Sequence, residues 1–396
     1  MSMVPLDGIV VVALEQAVAA PFATRQLADL GARVIKVERV GGGDFARGYD
    51  QAIRGGLGSH FAWLNRSKES VALDLKQQEG RDILAKLVSN ADVFVQNLAP
   101  GAAARLGFGQ ARLRASAPKL ITVDISGYGE LGPYRGKRAF DMLVQAEAGI
   151  ISVTGTPQTQ VKVGTPICDI AAGMYAFSGV LSALVRRART GEGASLDVTM
   201  FDAAAEWMAH VMYTTLYAGA PPERSALSHP VVVPYGAFPT RDGGDVIIGV
   251  QTDPGWALLA TKVLDRPELA THPRFATNQV RVANRADVDA AVVAATSRLD
   301  RADLVRRLDE VGIPNATVND GHGLAAHPQL RDRDRWREVG SPVGPVRTIL
   351  PPIGFADVAA RMDPIPALGE HTGAVLAELG YDPAVITRLR ATGVVE

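Results

Sequence analysis

Gly8-Ile-Val-Val-Val-Ala-Leu14, then Pro21-Phe-Ala-Thr-Arg-Gln-Leu-Ala-Asp-Leu30, Gly31 and Arg33-Val-Ile-Lys-Val-Glu38, is the stretch that decides the fold. The first piece is a short apolar, β-branched run and reads as a buried strand. The second starts with Pro21, where a first helical turn tolerates proline, and stops at Gly31. The third is strand again, so the chain opens strand, helix, strand, the unit that builds a parallel sheet. The alternation continues with a strand at Ser70 to Leu75, a helix at Gln78 to Ser89, and strands at Val93 to Gln96 and Leu120 to Ser126. Ile170, Met174, Phe177, Leu181 and Leu184 then recur at spacings of four and three, an apolar stripe that predicts a helix over Ile170 to Arg187. The fold class is α/β.

The texture changes after about residue 200. Phe201 to Ala218 reads as helical, and Gly219 to Pro234 is rich in Pro, Ser and Gly, as a linker or exposed loop is. Tyr235 to Gly249 holds a turn at Arg241 to Gly244 between two strand-like runs, a hairpin signal. Polar helices follow, including Arg301 to Val311, so this part predicts a smaller α+β domain. Ser341 to Pro366 carries Pro342, Pro345, Pro351, Pro352, Pro364 and Pro366 and can be neither mostly helix nor central strand. It reads as an extended segment crossing the molecule, after which Leu368 to Arg390 returns to helix. The division is a large domain over 1–200, a linker over 201–224, a small domain over 225–330, and a linker with C-terminal helices over 331–396 that goes back to the large domain.

Composition narrows the function. With 396 residues, 47% hydrophobic and 21% charged, the chain can bury a sizeable core. Its 41 basic and 42 acidic residues leave a formal charge of -1, against the basic surface a nucleic-acid binder needs. The single cysteine, Cys168, excludes a disulfide framework and a thiolate zinc site, and suits a reducing, cytoplasmic setting. No uninterrupted apolar run reaches the ~20 residues of a membrane span, so none is expected. Met1 to Gly8 has no basic segment leading into an apolar core, so no signal peptide is expected. The histidines form neither H-x-x-x-H nor H-E-x-x-H, and no G-x-S-x-G elbow occurs. Gly127-x-Gly129-x-x-Gly132 follows a strand, but Pro133, Tyr134 and the basic loop Arg135 to Arg138 stand where a dinucleotide fingerprint needs a helix. It reads as a glycine turn.

Asp169 stands just before the amphipathic helix, after Gly164-Thr-Pro-Ile-Cys168. Its ordinary reading is an N-cap that satisfies orphan backbone N–H groups. The residues after it, Ile-Ala-Ala-Gly173, put little bulk beside the carboxylate. A helix N-terminus can hold an oxyanion or a thioester oxygen, and a carboxylate can itself be a covalent nucleophile. Lys36, Arg39, Lys76, Arg105 and Arg138 lie near predicted strand ends. Singly each reads as a surface charge, but gathered at the carboxyl edge of an α/β sheet they suit a phosphate-bearing ligand.

These residues resemble the family III CoA-transferases. The likeness runs through Pro5-Leu-Asp-Gly-Ile-Val10, Asp29 to Arg39 with Gly41-Gly-Gly-Asp44, Asn65 to Lys76, and Asp92-Val-Phe-Val-Gln-Asn97 with Pro100-Gly101 and Arg105 to Phe108. It continues through Ser126-Gly-Tyr-Gly129, Gly164 to Gly173, Thr190-Gly-Glu-Gly193, Leu368-Gly-Glu-His-Thr372 and Gly393-Val-Val395. The resemblance implies a Rossmann-like large domain, a smaller α+β domain and long linkers, with two subunits interlocked as a homodimer. It implies Asp169 as the catalytic carboxylate, passing through an aspartyl mixed anhydride and an enzyme–CoA thioester. It implies CoA contacts at Arg39, Leu73, Lys76, Asn97, Arg105, Arg138 and Asp141. Coenzyme A enters as acyl-CoA substrate, and no permanently bound cofactor or metal, no nucleic acid and no membrane is implied.

Two departures bear on the substrate. Val18 stands where formyl-CoA transferase has glutamine, and Ser228-His-Pro-Val-Val-Val-Pro-Tyr235 replaces its glycine-rich loop. That segment is similar to the His-x-x-x-x-Pro-Tyr run of dicarboxylate enzymes such as succinate–hydroxymethylglutarate CoA-transferase. Oxalate and formyl-CoA are therefore disfavoured, succinyl-CoA is the expected donor, and Val18, Phe140 and His229 are candidate substrate contacts. The alternative is an acyl-CoA racemase or epimerase on the same fold. Its motif puts histidine before aspartate, where this chain has Phe140-Asp141, and phenylalanine cannot shuttle a proton.

Overall fold

The structure, a computed structural model, describes residues 4–396 in two compact units. The first comprises the chain up to Ile150, Lys162–His210 and Arg333–Glu396, and the second Ile151–Val161 and Val211–Asp332. The first three residues, part of the stretch read for a leader, lie outside the described residues.

The first unit is built on a six-stranded parallel sheet. Its elements are β1 (Val10–Leu14), α1 (Ala19–Asp29), β2 (Arg33–Glu38), β3 (Lys68–Ala72), α2 (Gln78–Ser89), β4 (Val93–Gln96), β5 (Ile121–Ser126), α3 (Asp141–Glu147), α4 (Ile167–Thr190), β6 (Ser195–Thr199) and α5 (Met200–Trp207). The strand order is β3-β2-β1-β4-β5-β6. That order reverses between β1 and β4, and a doubly wound sheet opens a crevice beyond the carboxyl ends of the strands at such a point. Helices cover both faces, so β1, β2 and β4 have no exposed residue, and β1 is wholly apolar while β2 buries Lys36 and Glu38.

Helix α4 runs further in both directions than its apolar stripe predicts, over 24 residues. By length and composition it could cross a membrane, which the absence of a long apolar run in the sequence did not anticipate. Ala171, Ala172, Ala176, Phe177, Val180 and Ala183 are nevertheless buried, and α4 packs on α1, β5, β6 and α5, as a core helix does. Gly173 lets α1 come close, because a Cβ there would lie 2.7 Å from the Ala19 carbonyl oxygen.

The C-terminal segment seals the outer edge of the sheet. Asp74 N–H donates to Val394 O at 2.8 Å, Leu73 bridges Val395, and Ala72 N–H donates to Thr372 Oγ1 at 3.1 Å. The Leu368–Thr372 and Gly393–Val395 runs thus protect an edge strand that would otherwise expose unpaired backbone. Leu368 to Arg390 is two helices, Thr372–Glu378 and Pro383–Ala391. The Pro-rich segment lies extended along this unit, with Ser67 N–H bonded to Asp363 O and Pro364 O. It also supplies one strand of an antiparallel pair, Trp336–Val339 with Val346–Ile349, which lies outside the main sheet where proline does no damage.

The second unit has a three-stranded antiparallel sheet of Tyr235–Pro239, Asp245–Gly249 and Asn315–Thr317. Its core gathers Val233, Phe238, Val246, Ile248, Trp256, Leu259, Val288, Val292, Leu304 and Leu308. Where the sequence reads as helical over Phe201 to Ala218, the structure has two helices, Met200–Trp207 and Ala209–Ala218, and the division between units falls at His210.

Candidate functional site

The crevice beyond β1 and β4 opens into two cavities. One of about 700 Å³ is lined by Gln16 to Ala19, Asn97 to Pro100, Lys137 to Met142, Lys162 and Asp169, among others. The other, of about 300 Å³, is lined by Arg39, Asp44, Leu73, Leu75, Lys76 and Leu106. Gln16, Phe45 and Leu98 line both, so one long ligand can occupy the two together.

Asp169 lies in the first turn of α4 rather than at its N-cap, which is Pro166. Proline presets the helical φ (here −73°), so the helix starts earlier than the aspartate rule places it. The capping carboxylate comes from a distant element. Asp141, at the start of α3, accepts the N–H of Cys168 at 2.7 Å and of Asp169 at 3.3 Å on Oδ1. Its Oδ2 accepts from Gln145 Nε2 at 2.6 Å. Ile167 and Ile170 donate to Thr165 O and Pro166 O. These amides are therefore taken, and the expectation that this helix end cradles a thioester oxygen is corrected.

Burial, then the charge of Asp141, pushes the Asp169 carboxyl up to about 7, against the smaller pull of the nearby Ala19 N–H. Asp169 and Gly173 share a helix face, four residues apart, so the close approach of Ala19 at Gly173 also brings its backbone near Asp169. Burial, then Asp141 and Asp169, push the neighbouring Cys168 thiol up to about 12. At neutral pH the thiol stays protonated while the carboxylate is available.

The predicted residues fall into three places. Arg39, Leu73 and Lys76 line the smaller cavity; Val18, Asn97, Arg138, Phe140 and Asp141 line the larger one with Asp169. Val18 is buried, whereas Phe140 stands exposed on the rim. Arg105 lines neither cavity; it is exposed on Ala102–Arg105 with its guanidinium 3.4 Å from Pro100 O. His229 belongs to the second unit, where its ring stacks on Tyr235. The Asn97 amide is already engaged: Oδ1 accepts from Gln16 N at 2.9 Å, and Nδ2 donates to Gln16 O at 2.8 Å.

Lys36 faces no ligand. It is wholly buried beside Asp44 at 2.8 Å and Glu15 at 3.4 Å, and Lys68 reaches the same Glu15 oxygen at 2.6 Å. Burial would raise the Glu15 carboxyl, but Lys68 and Lys36 outweigh it and hold it low. Burial likewise works against Glu38, which Arg47 and Lys36 bring down to about 2. A strand lysine looks alike in sequence whether it faces solvent or a carboxylate eight residues away, so these partners carry no local signal. Phe45, Tyr49 and His60, also lining the larger cavity, were missed for the same reason.

Fold and site together define an α/β enzyme with a carboxylate lining one cavity and cations lining its neighbour. The chain belongs to CoA-transferase family III, whose sequence profile matches residues 6–372, and is accordingly a CoA-transferase. A succinate–glutarate CoA-transferase of Agrobacterium fabrum is 35% identical, covering 95% of this chain and 96% of the relative. An acetyl-CoA:oxalate CoA-transferase of Acetobacter aceti is 37% identical, covering 86% and 87%. The crystal structure of a CAIB/BAIF family protein from Brucella suis superposes with a TM-score of 0.87 at 35% identity, covering 96% of this chain and all of that one.

Proposed function

We propose that this enzyme moves CoA from an acyl-CoA donor, succinyl-CoA foremost, to a small dicarboxylic acid, with Asp169 as the covalent relay. The observation that carries this is the Asp169 carboxyl at the floor of the larger cavity, next to a helix end whose own cap is Asp141. The carboxylate attacks the thioester carbonyl; the C–S bond breaks, giving an aspartyl mixed anhydride and CoA thiolate. The thiolate then attacks the aspartyl carbonyl and releases the donor acid, leaving CoA on Asp169 as a thioester. The acceptor carboxylate displaces CoA to form a new anhydride. The thiolate attacks the acceptor's carbonyl, giving the product acyl-CoA and the free carboxylate. One thioester replaces another, so the cycle needs little net driving force. A carboxyl pushed up to about 7 is a better nucleophile than an ordinary one yet is still substantially ionised near neutrality.

The smaller cavity, with Arg39 and Lys76 at an apolar wall, suits the nucleotide end of CoA, and the shared lining leads the thioester end to Asp169. Arg138 and Lys162 at the larger cavity suit the second carboxylate of a dicarboxylate. His229 is assigned to acceptor recognition on its motif. The racemase reading is not favoured, since Phe140 occupies the position of the second proton carrier.

A homodimer in the cytoplasm fits this reading. The first unit exposes Met174, Tyr175, Val185 and Trp207, and the second exposes Met212, Tyr213, Leu216 and Tyr217, apolar surface that a partner subunit would cover.

The test is to incubate the purified protein with succinyl-CoA and, separately, glutarate, oxalate, citramalate, itaconate, malate, mesaconate and hydroxymethylglutarate. Acyl-CoA products are followed by mass spectrometry with hydroxylamine or borohydride trapping. A new acyl-CoA and an adduct on Asp169 are expected. Product from oxalate alone would overturn the preference for longer dicarboxylates. Exchange of an α-proton on a branched acyl-CoA with no transfer would restore the racemase.

A further inference from the structure

The turn joining β1 to α1 is held in a conformation its residues would not choose. Ala17 has φ +63°, the left-handed region that disfavours any residue with a Cβ. Two side chains hold it there, one buried and one half-buried. Asp44, 3% exposed, accepts the N–H of Ala17 on Oδ1 at 3.0 Å. Its Oδ2 is fixed by Lys36 Nζ at 2.8 Å, and Oδ1 also accepts from Ala46 N at 2.9 Å. Asn97, from the end of β4, grips the preceding residue by both its N–H and its carbonyl. Two residues beyond Ala17, Ala19 lines the larger cavity together with Asp169, and its carbonyl lies against Gly173, about one helical turn on from Asp169. The clamp on the turn and the cavity wall beside the carboxylate thus belong to one short piece of chain at the point where the strand order reverses.

We propose that Asp44, together with Asn97, is a positioning residue of the transfer reaction, holding Ala17 left-handed so that the turn Ala17 to Ala19 keeps its place on the cavity wall beside the Asp169 carboxylate. Neither touches the reacting atoms. The buried charges around Asp44 have this turn as their point of application: Lys36 neutralises Asp44, Glu15 and Lys68 complete the set, and Glu15 is the residue immediately before Gln16. Asn97 acts on the turn from the opposite side of the crevice, so the two clamps make the same prediction independently. This inference rests on Asp169 being the covalent relay.

The test uses D44A, N97A, A17G and the double variant A17G/D44A in the full-length protein. For D44A and N97A, kcat falls about 100-fold, the size of effect a displaced reacting group produces, while KM for the donor stays within about threefold. Glycine adopts the left-handed conformation unaided, so A17G/D44A recovers about tenfold of the kcat lost in D44A. A merely structural Asp44 would lower kcat through loss of folded enzyme, and A17G would not restore it. The ¹³Cα and ¹³Cβ shifts of Ala17 report its φ without any turnover and move away from left-handed values in D44A, which removes the oxygen that accepts the Ala17 N–H. Unchanged Ala17 shifts in folded D44A overturn the clamp. Altered shifts with unchanged kcat overturn its part in the reaction. If the wild type transfers CoA to no acid, the reading of Asp169 fails, and with it the catalytic half of this inference, while the shifts still decide whether Asp44 holds the turn.

Discussion

The carboxylate of Asp141 caps the helix that carries Asp169, accepting the backbone N–H of Asp169 itself at 3.3 Å and of Cys168 at 2.7 Å. Two carboxylates therefore share one helix end. One is spent on the backbone, and the proton of the other is held more firmly by the first one's charge.

Removing the relay should leave the fold intact. Because Asp141 and not Asp169 satisfies the helix amides, D169A loses no cap and stays folded, with CoA binding preserved and transfer abolished. The measurement is steady-state transfer beside calorimetric CoA titration; turnover within tenfold of wild type would refute a covalent role.

The pH dependence has a definite sign. Asp169 is held at about 7 when folded, against 3.8 as the ordinary value, so kcat/KM for the donor falls as pH drops through about 7. D141N keeps an oxygen for the helix amides but removes the charge, so this acid limb moves to lower pH, by about 1. A limb that stays put in D141N would show that burial alone sets it.

Stability should move the opposite way to activity. The folded state binds the Asp169 proton more tightly than the unfolded chain does, so ionisation subtracts stability as pH rises from 3.8 to about 7 and stays subtracted above that. D169N should be more stable than wild type at pH 8, by ~1–3 kcal/mol, with no difference below pH ~4. Denaturant melts at the two pH values check this.

Gly173 tests the close approach of α1 and α4. A Cβ there meets the backbone oxygen of Ala19 at 2.7 Å, and backbone cannot swing aside, so G173A should cost about 1–3 kcal/mol and lower kcat by displacing Asp169. Gly179 lies on the same helix with only the Leu196 Cδ1 atom at 3.2 Å, a side-chain end that can yield. G179A should change neither stability nor kcat appreciably, and equal losses in both variants would point to helix propensity instead.

CoA affinity should separate the three arginine and lysine candidates. R39A and K76A, at the smaller cavity, should each weaken CoA binding by about 1.5–3 kcal/mol, the range of a hydrogen bond to a charged group. R105A, whose side chain lines neither cavity, should weaken it less. Calorimetric titration of CoA ranks them.

Much of the sheet was legible because its signals are local. Arg33 to Glu38, Gln78 to Ser89 and Val93 to Gln96 form elements with the bounds their patterns predict. Elsewhere tertiary contacts moved an end: β3 starts at Lys68 rather than Ser70, because Lys68 finds Glu15 and can be buried. Helix α4 begins at Ile167 because Asp141, more than twenty residues earlier, supplies its cap.

The sequence by itself determined the α/β class, the order of the elements and the single aspartate on which a family resemblance converges, since periodicity, glycine stops and motif spacing are properties of neighbouring residues. What only the tertiary structure decided is the environment that surrounds that aspartate. Asp141, Gly173, Asp44 and Asn97 reach Asp169 or its turn across separations that no local pattern encodes. Each acts through a specific contact: a carboxylate on two amides, an absent Cβ, a charge neutralised by a buried lysine, an amide gripping a backbone. Such contacts exist only once parallel strands far apart in the chain lie side by side, and the reversal of strand order between β1 and β4 is where they meet.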